Sequence, residues 1–321
     1  MTNPPTVHDH DYPKSVTIFE MGPRDGLQNE KATLSLDDKV ALVNELANVG
    51  LKKIETGSFV SPKWVPQMAD SGEVFNNITR QADVAYTALT PNMRGYDAAV
   101  ASQADEVAVF GAASESFTQK NINCSIAESI ERFKPVIAAA KAKGLPVRGY
   151  VSCVVGCPYE GHIEPDAVAQ VAKTLYELGC YEISLGDTVG VGTPIKIRRM
   201  LQAVTEHVPV NKLAVHFHDT YGQALANILM ALQMGVATVD SSVAGLGGCP
   251  YAGNASGNVG TEDVVYMLHG MGIKTGIDLA ALAQVGGKIT KALGKQPESR
   301  IAKAILAGHV QAHNLELTEQ R

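Results

Sequence analysis

A (β/α)8 TIM barrel with additional carboxyl-terminal helices is the fold this sequence predicts, and three observations predict it. Eight short apolar runs alternate with longer stretches of helical periodicity in one uninterrupted series. The first run leads into Met21-Gly22-Pro23-Arg24-Asp25-Gly26, which is not the GxGxxG phosphate loop that a doubly wound open sheet wants there. Polar residues suited to chemistry collect at the carboxyl ends of the runs, where barrel enzymes carry their active sites.

The strands are expected at 16–20, 53–56, 83–88, 106–110, 147–152, 181–185, 213–217 and 238–243. The helical stretch 37–49 places Val40, Leu42, Val43, Leu46 and Ala47 on one face. Stretches 165–178, 194–207 and 223–234 behave likewise, the first two opening with proline near the first turn. Gly50, Gly144, Gly179 and Gly235 stand where helices should stop. Two further helical patterns, 278–293 and 301–307, follow the eighth strand and read as additions packed on the barrel. Residues 1–14 are polar and proline-containing, with neither an apolar core nor an Arg-rich amphipathic pattern, and read as a flexible lead-in to one catalytic domain over 15–321.

A net charge of -6 gives no global argument for nucleic acid or an anionic membrane surface as partner. No apolar run approaches the roughly 18 residues of a membrane span. The five cysteines are odd in number and sparse, which favours a reduced, cytoplasmic setting over a disulfide framework. Cys153-Val154-Val155-Gly156-Cys157 has three residues between its thiols and no second pair, so it does not read as a structural zinc site. Thr318-Glu319-Gln320-Arg321 is not a peroxisomal address.

The most informative run is His216-Phe217-His218-Asp219-Thr220. Residues i and i+2 of a strand point to one face, so both imidazoles leave one strand end together, as neighbouring metal ligands must. The pair reads either as metal ligands or as ordinary histidines of a strand-to-loop turn. Imidazole suits Zn, Fe, Co, Ni and Mn, and added oxygen ligands shift the preference toward harder ions. Arg24-Asp25 follows the first strand, in a turn that Gly22, Pro23 and Gly26 hold tight. It reads either as a helix-capping pair or as an aspartate completing a mixed shell beside an arginine that steadies an oxyanion. Glu55 ends the second strand, where it can pair with Arg24 and orient it. Tyr150, Ser152 and Cys153 lie at the fifth strand. Asp187, in Gly186-Asp187-Thr188, is either a helix N-cap or a carboxylate of the site. Cys249 lies in Gly245-Leu246-Gly247-Gly248-Cys249-Pro250-Tyr251, and a thiol on such a glycine-rich loop is poorly explained by packing. Asn258 stands in a glycine turn, usually a conformational device, though its amide oxygen is also a hard ligand. His8, His10, His162, His309 and His313 look peripheral.

These motifs together resemble the 3-hydroxy-3-methylglutaryl-CoA lyase family, among the metal-dependent barrel lyases and Claisen-type synthases. The matching segments are Gly22-Pro23-Arg24-Asp25-Gly26-Leu27-Gln28-Asn29-Glu30, the stretch 58–68, the stretch 216–223 and Ser241-Ser242-Val243-Ala244-Gly245-Leu246-Gly247-Gly248-Cys249-Pro250-Tyr251. The resemblance spans residues 15 to 295, and the cysteine loop separates the lyases from the related synthases. It implies cleavage of (S)-3-hydroxy-3-methylglutaryl-CoA to acetyl-CoA and acetoacetate, in leucine catabolism or ketone-body formation, with Mg²⁺ or Mn²⁺. It implies Asp25, His216, His218 and Asn258 as metal ligands, Arg24 as the group that steadies the thioester enolate, oriented by Glu55, and Cys249 in proton transfer. Asp187 and Tyr150 would line the site, the partner would be the acyl-CoA substrate, and the assembly would be a homodimer. No cysteine follows Cys249, so thiol control near the carboxyl terminus, as in some animal members, is not expected. A longer branched 3-hydroxyglutaryl-CoA, a Claisen-type acyl-CoA synthase reaction and a non-catalytic binding barrel are the alternatives.

Overall fold

Residues 12–248 and 257–308 are described by a computed structural model. Eight parallel strands close a barrel: β1 Thr17–Glu20, β2 Lys53–Ser58, β3 Ala85–Leu89, β4 Glu106–Ala112, β5 Val147–Ser152, β6 Glu182–Asp187, β7 Leu213–Phe217 and β8 Thr238–Ser241. Each strand pairs with its sequence neighbour, and β1 closes the ring on β8 through Phe19 opposite Asp240. The expected (β/α)8 barrel is therefore present.

The helices are α1 Leu36–Asn48, α2 Ser71–Asn77, α3 Met93–Ala101, α4 Glu115–Ile122, α5 Ile126–Ala142, α6 Pro165–Leu178, α7 Pro194–Thr205, α8 Ala224–Gln233, α9 Thr261–Gly270, α10 Leu279–Ala292 and α11 Arg300–Leu306. Short polar side chains start several of them: Ser35, Asn92, Ser114, Ser125, Asp278 and Ser299 each accept a backbone N–H of the first turn. Outward-facing Ile18, Ile54, Val107, Val109, Val151, Ile183, Leu185, Val215 and Val239 meet the buried faces of the helices in one continuous core. A second, smaller cluster of Phe19, Met21, Leu89, Ala108 and Tyr150 fills the barrel itself.

Three differences from the expected elements bear on the site. Strand β6 runs on to Asp187, and β2 to Ser58 with a register shift between Glu55 and Gly57. Such a bulge re-aims the side chains beside it. Strand β8 ends at Ser241, because Val243–Gly245 turns sharply with Ala244 at φ +57°. The Gly22–Gly26 segment is one π-type turn, closed by the Gly26 N–H donating to the Met21 carbonyl at 3.0 Å. Isolated π turns are frequent at functional sites. Among the described residues, no helix is long and apolar enough to cross a membrane.

Candidate active site

The alternation of each strand decides which side chains enter the barrel. In β5 the residues Arg148 and Tyr150 share the inner face, and across the barrel His216 of β7 and Asp240 of β8 join them. Together with the π turn after β1 and the end of β2 they form a closed circuit of polar contacts. Arg24 Nε donates to Glu55 Oε2 at 2.5 Å, and Arg24 Nη1 to Asp25 Oδ1 at 2.5 Å. The Tyr150 hydroxyl donates to Glu55 Oε1 at 3.1 Å and accepts from Arg148 Nη1 at 3.0 Å. Arg148 grips Asp240 with two nitrogens, at 2.9 and 2.7 Å, and gives its Nε to Glu182 at 2.8 Å. Asp240 also accepts from Ser184 Oγ at 2.7 Å and lies 3.3 Å from His216 Nδ1. His216 Nε2 then faces Asp25 Oδ2 at 3.8 Å, which completes the circuit.

Asp25, His216 and His218 each offer a ligand atom, and these atoms lie within 4.8 Å of one another. Asn258 closes on the same point. Its Nδ2 donates to Asp25 Oδ2 at 2.8 Å, and its backbone forms an antiparallel bridge with His218. A half-turn of that amide presents the oxygen instead. Burial alone would raise the Asp25 pKa, but Arg24, the two histidines and the Asn258 bond hold it far below the ordinary carboxylate range. Burial, helped by neighbouring His216, lowers His218 to about 4, so its ring is the neutral, ligating form at neutral pH. Burial also opposes charge on His216, but the Asp240 bond and the Asp25 charge overcome it and raise its pKa. A carboxylate on Nδ1 with Nε2 turned to the ligand cluster is the arrangement that orients metal-bound histidines.

The charge balance of the barrel interior agrees with a cation at this point. Arg24, Arg148 and Lys53 stand against Asp25, Glu55, Glu106, Glu182 and Asp240. In their ordinary charged forms these leave an excess of two negative charges. The donor set of one carboxylate, two imidazoles and one amide therefore fits a divalent ion.

Of the residues singled out from the sequence, the structure brings together Arg24, Asp25, Glu55, Tyr150, His216, His218 and Asn258. Asp187 is not among them. It shares the outward face of β6 with Ile183 and Leu185, and it does not cap α7, whose N-cap is Thr193. Its Oδ2 instead accepts the Gly192 N–H at 2.7 Å, inside the loop after β6, and burial raises its pKa to about 6. Cys153 is buried at φ +62°, with its N–H held by Thr188 Oγ1 at 2.9 Å. Its thiol pKa is pushed up by burial and then by neighbouring Cys157, so it is no thiolate at neutral pH. Cys249 lies outside the described residues, as do His8, His10, His309 and His313. Arg148, Ser184, Glu182 and Asp240 are the interior polar residues that the motif reading passed over. Their signal was present as polar residues recurring every second position within apolar strands, as in Val147-Arg148-Gly149-Tyr150 and Glu182-Ile183-Ser184.

Comparison with known proteins decides the family. The profile described as HMGL-like matches residues 15–289. The chain belongs to the HMGL-like family. Over 293 residues it is 60% identical to the mitochondrial hydroxymethylglutaryl-CoA lyase of Gallus gallus, covering 91% of this chain and 98% of that protein. It is 58% identical over 295 residues to a 3-hydroxy-3-isohexenylglutaryl-CoA/hydroxymethylglutaryl-CoA lyase of Pseudomonas aeruginosa, covering 92% of this chain and 98% of that protein. The crystal structure of hydroxymethylglutaryl-CoA lyase from Pseudomonas aeruginosa superposes with a TM-score of 0.91 at 58% identity, covering 92% of this chain and 99% of that one. Related lyases are named mitochondrial in some animals and cytoplasmic in others, such as Danio rerio.

Proposed function

We propose that this protein is a lyase that cleaves (S)-3-hydroxy-3-methylglutaryl-CoA to acetyl-CoA and acetoacetate. One observation carries the reading: a buried arginine, Arg24, and the carboxylate of the candidate metal cluster, Asp25, are neighbours in the single turn Gly22–Gly26, and that turn brings Asp25 to His216 and His218 at the end of β7. Breaking the C2–C3 bond leaves the electron pair on C2, as the enolate of the thioester. The same step requires the C3 hydroxyl to give up its proton, so that C3 becomes the acetoacetate carbonyl.

Arg24 is placed to meet the enolate oxygen. Glu55 and Asp25 fix its Nε and Nη1, and Nη2 makes no hydrogen bond among the described residues. A preorganised donor of this kind contributes about 3–4 kcal/mol to a developing oxyanion. Tyr150 holds the far oxygen of Glu55, so the carboxylate cannot swing away from Arg24. Asp25, His216, His218 and Asn258 would hold Mg²⁺ or Mn²⁺, which supplies Lewis acidity toward the substrate hydroxyl and carboxylate oxygens. Cys249 is proposed to return a proton to C2 of the enolate. Asp187, set behind the barrel wall, is proposed to shape the loop after β6 rather than to touch substrate. A cytoplasmic setting and a homodimer remain part of the proposal; sedimentation of the purified protein tests the second.

The test is product analysis of the purified protein with 3-hydroxy-3-methylglutaryl-CoA and with a 3-isohexenyl analogue. Equal amounts of acetyl-CoA and acetoacetate from the methyl compound are expected. Turnover of the long-chain compound alone would replace the substrate and keep the reaction. Turnover of neither, in folded and metal-loaded protein, would remove the lyase reading.

A further inference from the structure

We infer that Glu20 and Glu262 are positioning residues, a buried carboxylate pair outside the barrel axis that locks the Arg24–Asp25 turn against the segment 242–248. The inference rests on the proposed function, since it takes Arg24 and Asp25 as the acting groups. Both carboxylates are fully buried, and neither has a salt-bridge partner among the described residues. An unpaired buried carboxylate is costly unless hydrogen bonds replace its water. The replacements here come from two different loops.

Glu20 Oε1 accepts the Gly22 N–H of the first loop and the Val243 N–H of the eighth, both at 2.8 Å. Its Oε2 accepts from Thr261 Oγ1, at the start of α9, at 2.7 Å. One oxygen thus ties the turn that carries Arg24 and Asp25 to the segment that leads into the glycine-rich loop. Glu262 receives the Ala244 N–H on both oxygens at 2.9 Å. Ala244 sits at φ +57°, a strained backbone that persists only when its surroundings enforce it. The Ala244 carbonyl is held in turn by the N–H groups of Glu298 and Ser299 at 2.8 and 3.1 Å.

The packing is cut to these carboxylates. A Cβ at Gly22 would stand 2.6 Å from Glu20 Oε1, and one at Gly286 of α10 would stand 2.6 Å from Glu262 Oε1. A Cβ at Gly26 would stand 2.7 Å from Ser242 Oγ and 2.9 Å from Leu246 Cβ, and the one at Gly22 2.9 Å from Val243 Cγ1, so the two loops pack closely at both ends of the turn. Burial raises Glu20 to about 7 and Glu262 to about 8, so the pair retains a proton near neutral pH. What the site needs from Glu20 is then two oxygens' worth of reach, not a full negative charge.

Two variants separate reach from charge. Glu20→Asp keeps the charge and withdraws the carboxylate by one methylene, so it cannot meet both Gly22 and Val243. Glu20→Gln keeps the reach and an accepting oxygen for both N–H groups. At pH 7, Glu20→Asp is expected to lower kcat at least tenfold with KM for the acyl-CoA within threefold, and to weaken Mn²⁺ binding, read by electron paramagnetic resonance, at least fivefold. Glu20→Gln is expected to stay within threefold of the unsubstituted protein on all three readouts. The opposite order, with Asp tolerated and Gln damaging, overturns the inference, and so does wild-type behaviour of both. Should Glu20→Asp fail to fold, Thr261→Val removes the bond to Oε2 together with the Thr261 contact to Ser241 Oγ, and it is expected to lower kcat twofold to fivefold while Ser241→Ala, which removes the second contact alone, stays within twofold; no change in Thr261→Val, or an equal loss in Ser241→Ala, would count against the inference. Absence of turnover in the unsubstituted protein would sink the lyase reading, while the Mn²⁺ comparison would still decide this one.

Discussion

Asp240→Asn tests how far the interior circuit supports both the fold and the candidate metal cluster. The substitution is isosteric, so it opens no cavity. It removes one charge and turns one acceptor into a donor. Asp240 Oδ1 receives one Arg148 nitrogen, whereas Oδ2 receives the other together with Ser184 and His216. The amide nitrogen will therefore take the Oδ1 position, where it faces only Arg148 Nη2 at 2.7 Å. The Arg148 and Asp240 side chains are 1% and 0% exposed, so solvent cannot take over the lost partner. Breaking such a buried pair costs about 3–5 kcal/mol. At roughly 2 °C per kcal/mol for a chain of this size, the thermal midpoint should fall by about 6–10 °C. His216 also loses the anion behind its Nδ1, which should weaken metal binding by about 10–100-fold. Calorimetric unfolding and Mn²⁺ titration of both proteins read the two effects. The double variant Arg148→Met/Asp240→Leu is expected to recover part of the stability but none of the metal affinity, because it removes the stranded charge and not the need to orient His216. Wild-type stability together with wild-type Mn²⁺ affinity in Asp240→Asn would refute the reasoning.

Three further outcomes are expected. Arg24→Gln should lower kcat by at least about 10²–10³-fold while circular dichroism shows the fold retained; normal kcat would remove Arg24 from the enolate step. His218→Ala should lower bound Mn²⁺ below one per chain by elemental analysis after dialysis, and unchanged stoichiometry would count against ligation. Glu262 has its pKa raised to about 8 by burial, so the folded state binds its proton more tightly than the unfolded chain does. Its contribution to stability is therefore complete below the unfolded value near 4.5 and is lost as pH rises through about 8. Glu262→Gln should flatten that decline, gaining on the unsubstituted protein between pH 5 and pH 8.5 by on the order of a few kcal/mol. A difference that does not vary with pH would show that Glu262 is ionised throughout.

The barrel was legible because its signals are local. The period-two and period-3.6 patterns, the glycines after helices and the prolines at the starts of α6 and α7 each act within a few residues. Strand limits shifted where distant parts decide them. Strand β8 stops at Ser241 because Ala244 is pulled into positive φ by Glu262, eighteen residues further on. His216 and His218 converged as their spacing required, and Arg24 met Glu55 as expected. Asp187 followed the parity of β6 rather than its motif, and that parity depends on where the strand begins. Arg148 and Asp240 are ninety-two positions apart, and neither stands in a recognisable motif. Only barrel closure shows that they form one pair. The same holds for Glu20 and Val243, which meet because β1 and β8 are neighbours in the closed ring.

The most direct test of the central claim is acetoacetate release from 3-hydroxy-3-methylglutaryl-CoA by one preparation of the protein, measured with Mg²⁺, after EDTA, and after Mg²⁺ or Mn²⁺ is restored. The account predicts rapid release, its loss with EDTA and its recovery with metal. Release that EDTA leaves untouched would contradict the role given to Asp25, His216, His218 and Asn258. No release from folded, metal-loaded protein would contradict the lyase reaction itself.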